Sequence, residues 1–278
     1  MSLPTFVVIG AMKAGTTSLW AYLRSHPDVF MPEEKEPDFF VGEKGWGRGL
    51  EWYEQLFAPG AEAVAKGEAS TNYSKHPLFA GVPERMASVI PHAKLVYIVR
   101  DPISRMRAHY LHALSENWER RPIDRALVEE PQYLDVSRYA TQIDRFLASY
   151  DRSQLLVVTA EALLTDRAAT VARVYSFIGV DPAWRPPRLD EKTHATAEKT
   201  ARRPSAQAAA RLPGWALAGR LTPARIRRAW RKRTTVDLDP TSWTISAEVE
   251  TRLRDELRPE VGRLRSFLGS HFDGWGIA

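Results

Sequence analysis

Phe6-Val-Val-Ile-Gly-Ala-Met-Lys-Ala-Gly-Thr-Thr-Ser18 is the stretch that decides the fold of this chain. Four consecutive apolar residues, Phe6 to Ile9, read as a short buried strand. Thr16 to His26 then carries Leu19, Trp20 and Leu23 at helical spacing and is closed by Pro27. Between strand and helix lies a loop with two glycines, Gly10 and Gly15, and one lysine, Lys13. Such a junction aims backbone N–H groups, the positive end of a helix dipole and one ammonium at a single point, which predicts a bound phosphate.

Gly10 and Gly15 have the spacing of the nucleotide-triphosphate loop GxxxxGK(S/T), but Thr16 follows the second glycine and the lysine sits earlier, at Lys13. A lysine after the second glycine reaches the β and γ phosphates. One inside the loop sits lower, near a bridging oxygen by the first phosphate. The loop is therefore expected to hold a short 5′ group rather than a triphosphate, with a plain tight turn as the competing explanation.

Lys13-Ala-Gly-Thr-Thr17 resembles the 5′ loop of the sulfotransferases that use 3′-phosphoadenosine 5′-phosphosulfate (PAPS). His26-Pro-Asp28 is similar to the branch of that family containing the heparan sulfate sulfotransferases and their bacterial relatives. A second segment extends the likeness. Lys94-Leu-Val-Tyr-Ile-Val-Arg-Asp-Pro-Ile-Ser-Arg105 reads as another buried strand ending in Arg100-Asp101-Pro102, with a helix running on through His109 and Tyr110. Asp101 suits the N-cap of that helix and Pro102 its first turn.

The resemblance implies that Lys13, Ala14, Gly15, Thr16, Thr17 and Ser18 bind the 5′ end of the cofactor, with Lys13 also stabilising the leaving oxygen. It implies that Arg100 grips the 3′-phosphate, a task for which a planar guanidinium fork is suited. A later loop of the family adds another arginine to that phosphate, which implicates Arg202 or Arg203. Gly67-Glu-Ala-Ser-Thr-Asn-Tyr73 resembles the segment that lines the acceptor cleft, so Ser70 and Asn72 are expected on the substrate side. Two positions depart from the family. Ala69 stands where many relatives have a lysine, and Ala108 where a serine often gives the 3′-phosphate a second hydrogen bond. A hydrogen bond to a charged group is worth about 1.5–3 kcal/mol, and Arg107 and His109 are the neighbours that could supply it.

Sulfuryl transfer needs a base for the acceptor and a cation for the leaving phosphate. Glu33-Glu-Lys-Glu-Pro-Asp-Phe-Phe40 supplies carboxylates. In the heparan-type enzymes a glutamate followed by two residues and Phe-Phe is the proposed base, which implies Glu36, with Phe39 and Phe40 as the aromatic pair. Asp38 is the second choice. Four carboxylates in six residues otherwise read as a solvated loop. Two flanking phenylalanines can draw the stretch into a cleft, where desolvation would raise a carboxylate's proton affinity. His76, His109 and His112 are rival bases, and Trp46, Trp52, Tyr53 and Trp118 are either acceptor-site aromatics or packing residues.

The 278 residues, 44% of them apolar, fit a single domain spanning 1–278. Alternating strand and helix patterns predict an α/β, P-loop-type three-layer fold: a central parallel sheet flanked by helices on both faces. Tyr139 to Tyr150 reads as an amphipathic helix, Gln154 to Thr159 as a strand, Thr165 to Gly179 as a helix with a C-cap glycine, and Ile245 to Leu268 as a last helix before a packed Trp275. The absence of cysteine excludes disulfides, thiol catalysis and cysteine metal sites. No apolar run is long enough to span a bilayer and no leader pattern is seen, so a cytoplasmic protein is expected.

Charge is concentrated in one place. Residues 202–233 hold ten Lys/Arg and no Asp or Glu, so without them the net charge of +5 becomes −5. Short amphipathic helices in this segment would form a lid over the acceptor, a peripheral surface for anionic lipid or polyanion, or a solvated face. The expected activity is in-line transfer from PAPS to an acceptor hydroxyl or amine of a carbohydrate, lipid or small natural product, releasing adenosine 3′,5′-bisphosphate, with no metal and no nucleic-acid partner. A small-molecule P-loop kinase and a non-catalytic nucleotide- or polyanion-binding relative are the alternatives.

Overall fold

The computed structural model of the protein describes residues 2–186, 200–202, 235–237 and 243–278. Its central sheet has five parallel strands, β1 (Phe6–Gly10), β2 (Val29–Phe30), β3 (Ala65–Ala69), β4 (Lys94–Val99) and β5 (Leu155–Thr159), in the order β2-β3-β1-β4-β5. β1 lies in the middle, so the loop after it opens at the centre of the sheet's carboxyl edge.

The apolar runs of β1, β4 and β5 are continuous because both faces are covered. Val7, Ile9, Leu95, Tyr97 and Val157 are buried on one face, and Phe6, Val8, Val96, Ile98 and Val158 on the other. The first face packs against α2 (Leu50–Phe57), α3 (Val82–Val89), α7 (Tyr139–Leu147) and the end of α10 (Ala247–Leu268). The second packs against α1 (Thr16–Arg24) and α9 (Arg167–Ile178) through Leu19, Leu23, Val171 and Val174. This is the expected three-layer arrangement.

A third cluster joins α4 (Pro102–Ser115), α5 (Ile123–Glu129) and α6 (Pro131–Asp135) to α10 through Met106, Tyr110, Leu127, Leu257 and Val261. As the sequence suggested, Asp101 caps α4: its carboxylate accepts the Ser104 N–H at 2.7 Å, and Pro102 occupies the first turn. Trp275 packs against Phe272 (4.7 Å between rings) and Tyr139 (6.4 Å).

The helix expected from Thr165 to Gly179 is preceded by a separate one. α8 (Ala160–Thr165) ends where the Asp166 side chain accepts the Ala169 N–H and starts α9 afresh, and α9 closes on Gly179 at φ 90°. β6 (Thr200–Arg202) pairs antiparallel with β7 (Thr235–Asp237), and β6 lies against α4. Arg203 and the expected lid through residue 233 lie outside the described residues. Among the described residues no helix is long and apolar enough to cross a membrane.

Candidate active site

The loop after β1 is built as a cradle. Gly15 takes φ 99°, a left-handed conformation that glycine adopts at no steric cost, and so turns the chain into α1. α1 has no side-chain cap and no acidic residue in its first turn, which leaves the positive end of the helix to an outside anion. Gly10 is needed for space, since a β-carbon there would run into the Ser74 side chain. Ala14 and Thr16 are buried, Lys13 and Ser18 half-buried, and Gly15 and Thr17 exposed.

Arg100, at the end of β4, reaches this loop: its guanidinium donates to the Lys13 carbonyl at 3.4 Å across 87 residues of sequence. The Arg100 carbonyl is fixed by the Tyr139 hydroxyl at 2.8 Å. The Asp101 carboxylate is spent on its helix cap, and the Asp101 N–H donates to Glu161 Oε1 at 3.0 Å.

The acidic stretch grades from solvent to interior. Glu33 and Glu34 are exposed, Glu36 is half-buried and Asp38 is buried. Lys13 (φ 66°), Glu36 (φ 62°) and Asp38 (φ 51°) all lie in the left-handed region, which only five non-glycine positions occupy among the described residues. Conformations of this kind cost on the order of 1–3 kcal/mol each and persist where surrounding contacts over-determine them. The Glu36 N–H donates to the Ala69 carbonyl at 3.1 Å, and the Asp38 N–H donates to Ser70 Oγ at 3.1 Å. Asp38 Oδ2 accepts from Asn72 Nδ2 at 2.6 Å and from Lys44 Nζ at 2.8 Å.

Burial raises the proton affinity of Glu36, as expected of a carboxylate drawn into a cleft, but it does not win. The Lys35 ammonium, 2.7 Å from Oε1, together with the charge of Lys75 and the Thr71 hydroxyl, holds the carboxyl below the usual carboxylate range. The net direction therefore corrects the expectation of a raised affinity, and Glu36 is ionised at neutral pH. Lys75, at the end of the turn Thr71–Ser74, makes no ion pair among the described residues. Burial pulls its ammonium down to about 8 against the opposing charge of Glu36.

Of the rival histidines, His109 is buried against Tyr133 (4.7 Å between rings) and beside Arg105 (3.5 Å). Burial first, then Arg105, lowers it to about 2, which makes it a poor proton acceptor. His112 packs on Trp118 at 5.4 Å, and His76 exchanges backbone hydrogen bonds with the Gln142 side chain. Beside Ala108, His109 is thus committed to packing, while Arg107 is exposed. Among the aromatics, Tyr53 is fully buried, Trp52 half-buried, Trp46 partly exposed and Trp118 largely exposed.

Two groups of residues therefore meet at the β1 edge. Lys13 to Ser18 with Arg100 form a cationic, amide-rich cradle. Glu36, Asp38, Ser70 and Asn72 form a polar wall beside it, joined where the Ser70 N–H donates to the Val8 carbonyl at 3.1 Å. The side chain of Arg202 and all of Arg203 lie outside the described residues. Sequence reading gave no role to Glu68 or Lys75, which hold or face that wall, and left Tyr53 open between acceptor site and packing. Their signal was faint: a glutamate among small residues in β3 and a lysine just after a turn.

A profile described as the sulfotransferase domain matches residues 3–237. The chain belongs to the sulfotransferase domain family. Within it, the chain is 32% identical over 204 residues to the bifunctional heparan sulfate N-deacetylase/N-sulfotransferase 4 of Mus musculus, covering 65% of this chain and 23% of that protein. It is 29% identical over 187 residues to the heparan sulfate glucosamine 3-O-sulfotransferase 3A1 of Mus musculus, covering 64% of this chain and 46% of that one. The match thus spans less than half the length of either relative. A crystal structure of a sulfotransferase from Alicyclobacillus acidocaldarius shares the fold, with a TM-score of 0.70 over 99% of this chain and 100% of that chain at 24% identity.

Proposed function

We propose that this sulfotransferase-family chain transfers a sulfuryl group from PAPS to an acceptor hydroxyl or amine by direct in-line displacement. The observation that carries the reading is the contact between Arg100 and the Lys13 carbonyl, which brings the two anion-binding motifs to one place. The residues fit the cofactor. An uncapped helix start without acidic side chains, one ammonium and one guanidinium make a donor set for a bisphosphate.

When bound, PAPS supplies the activated sulfuryl group. The amides of Gly15 to Thr17 and the Ser18 hydroxyl hold the 5′ end, while Ala14, expected to join them, is buried with its N–H donating to the Ala11 carbonyl at 3.1 Å and shapes the turn instead. Lys13 stabilises charge growing on the leaving phosphate oxygen, and no step in this scheme uses a metal. Arg100 binds the 3′-phosphate, with Arg202 or Arg203 as the added contact. Glu36, ionised at neutral pH, takes the acceptor proton. Asp38 and Asn72 floor the acceptor side; Ser70, expected there too, is fully buried behind them with its hydroxyl bonded to Glu68 and to the Asp38 N–H. Lys75 supplies the positive charge that Ala69 does not.

The relatives named for N- and 3-O-sulfation of heparan sulfate, together with a carboxylate at Glu36, support placement in the heparan-type branch. A carbohydrate hydroxyl or amine is accordingly the first acceptor to try, before lipids and small natural products. The ten cations of 202–233 suit a polyanionic acceptor or an anionic surface.

Calorimetry with adenosine 3′,5′-bisphosphate and with ATP, each in EDTA, combined with transfer from labelled PAPS to an acceptor panel, tests the reading. Bisphosphate should bind tighter than ATP, and Lys13→Ala should lower turnover by about 10²–10³-fold, the scale of losing one transition-state donor. Near-normal turnover in Lys13→Ala sinks the assignment. Preference for ATP would favour the kinase, and bisphosphate binding without transfer a binding module.

A further inference from the structure

Glu68, in β3, is 1% exposed and accepts three hydroxyl hydrogens. Tyr53 donates to Oε1 at 2.9 Å, Tyr73 to Oε1 at 2.6 Å and Ser70 to Oε2 at 2.6 Å. Each of these partners also holds the loop that carries Glu36. Ser70 Oγ accepts the Asp38 N–H at 3.1 Å, and the Tyr73 oxygen accepts the Phe40 N–H at 3.4 Å. The Tyr53 ring stacks on Phe39, 4.2 Å between centroids and 9° from parallel. Glu36 itself hangs from the carbonyl of Ala69, the residue next to Glu68.

We propose that Glu68 is a positioning residue whose ionised carboxylate, acting through Tyr53, Tyr73 and Ser70, locks the Glu36–Phe40 loop in the left-handed turn that presents Glu36 to the acceptor. The proposal rests on the reading of Glu36 as the base. An ionised carboxylate is an acceptor only, so all three hydroxyl hydrogens have a place and the hydroxyl oxygens stay open to the loop amides. A protonated carboxyl brings a fourth donor into a ring of donors. One hydroxyl must then turn its hydrogen away, buried and without an acceptor, and the loop link it carries weakens.

The groups facing Glu68 set where this happens. They are Tyr53 from α2, Tyr73 and Ser70 from the segment after β3, and Asp38 from the base loop, with Tyr150 acting on Tyr53 from beyond α7. Among the described residues none of the ion pairs includes Glu68. Burial therefore raises its carboxyl to about 7, with Asp38 adding to the rise and the three hydroxyl bonds opposing it. The lock closes as pH rises through neutrality.

Glu68→Gln keeps the side-chain shape and removes the charge. Hydrogen exchange of residues 33–45 in the full chain, corrected for intrinsic rates, should be at least about tenfold slower at pH 8 than at pH 6 in the wild type and fast at both in Glu68→Gln. With PAPS and a working acceptor, Glu68→Gln should lose about tenfold or more in kcat with the KM for PAPS within about twofold, and the kcat limb near pH 7 should vanish. Ser70→Ala, which cuts one link, should move both readouts the same way by less, and it serves as the test if Glu68→Gln does not fold. Exchange insensitive to pH and to both substitutions overturns the proposal, as does loosened exchange with unchanged kcat. A wild type that shows the exchange switch but never transfers sulfate fails the proposed function while leaving the lock in place.

Discussion

At the scale of single residues, the site sets two charges at opposite ends of the working pH range. Glu36 is held below the ordinary carboxylate range, so its ionised form is lost only as pH falls into the acid region. Lys75 is pulled down to about 8 by burial, so its positive charge is lost as pH rises through that value. If Lys75 carries the charge that Ala69 lacks, kcat/KM should decline above about pH 8. Lys75→Met should lower kcat/KM at pH 7 by about tenfold and flatten the alkaline limb, and Lys75→Arg should restore activity and extend it to higher pH. Glu36→Gln separates the base from the histidines. Turnover should drop by about 10²–10⁴-fold with bisphosphate affinity preserved, whereas a His112 base would leave it near normal.

At the scale of elements, strand ends do the positioning, and their quality sets the precision of the site. Asp101 caps α4 immediately after Arg100, so Asp101→Ala should cost about 1 kcal/mol of stability by urea denaturation and weaken bisphosphate binding by calorimetry, because the Arg100 backbone loses a fixed neighbour. Gly15→Ala places a β-carbon at φ 99°, where left-handed backbone costs about 1–2 kcal/mol, and should reduce bisphosphate affinity more than it reduces stability. These elements were legible in the sequence for local reasons. β1 and β4 are continuous apolar runs, Asp101-Pro102 is a helix start, and Gly15 is a turn. β3, Ala-Lys-Gly-Glu-Ala, was not legible as a strand. Gly67 is small because the Phe6 ring fills the space of its side chain, and the role of Glu68 shows only when Tyr53, Ser70 and Tyr73 are brought around it. The loop and Arg100, which the structure brings into contact, were legible as motifs because each lies inside one contiguous stretch. The Glu68 lock was missed because its parts are scattered over four segments.

At the scale of the whole molecule, that lock sets function against stability. Glu68 has a folded-state pKa of about 7 against 4.5 for an unperturbed glutamate, so the folded chain binds more protons than the unfolded one between those values. Its contribution to stability is fully present below about pH 4.5 and is lost as pH rises through about 7, a swing on the order of 3 kcal/mol at 1.36 kcal/mol per unit. The ionised form that holds the base loop is thus the one that folding disfavours, which fits a site selected for activity rather than stability. Relative to Glu68→Gln, the wild type should therefore lose stability between about pH 5 and pH 7.5, read as the difference in urea unfolding free energies at each pH. A constant difference across that range would mean that Glu68 titrates at its ordinary value. The pH-dependent loosening of the base loop would then need another source, since the three hydroxyls around Glu68 do not titrate in this range.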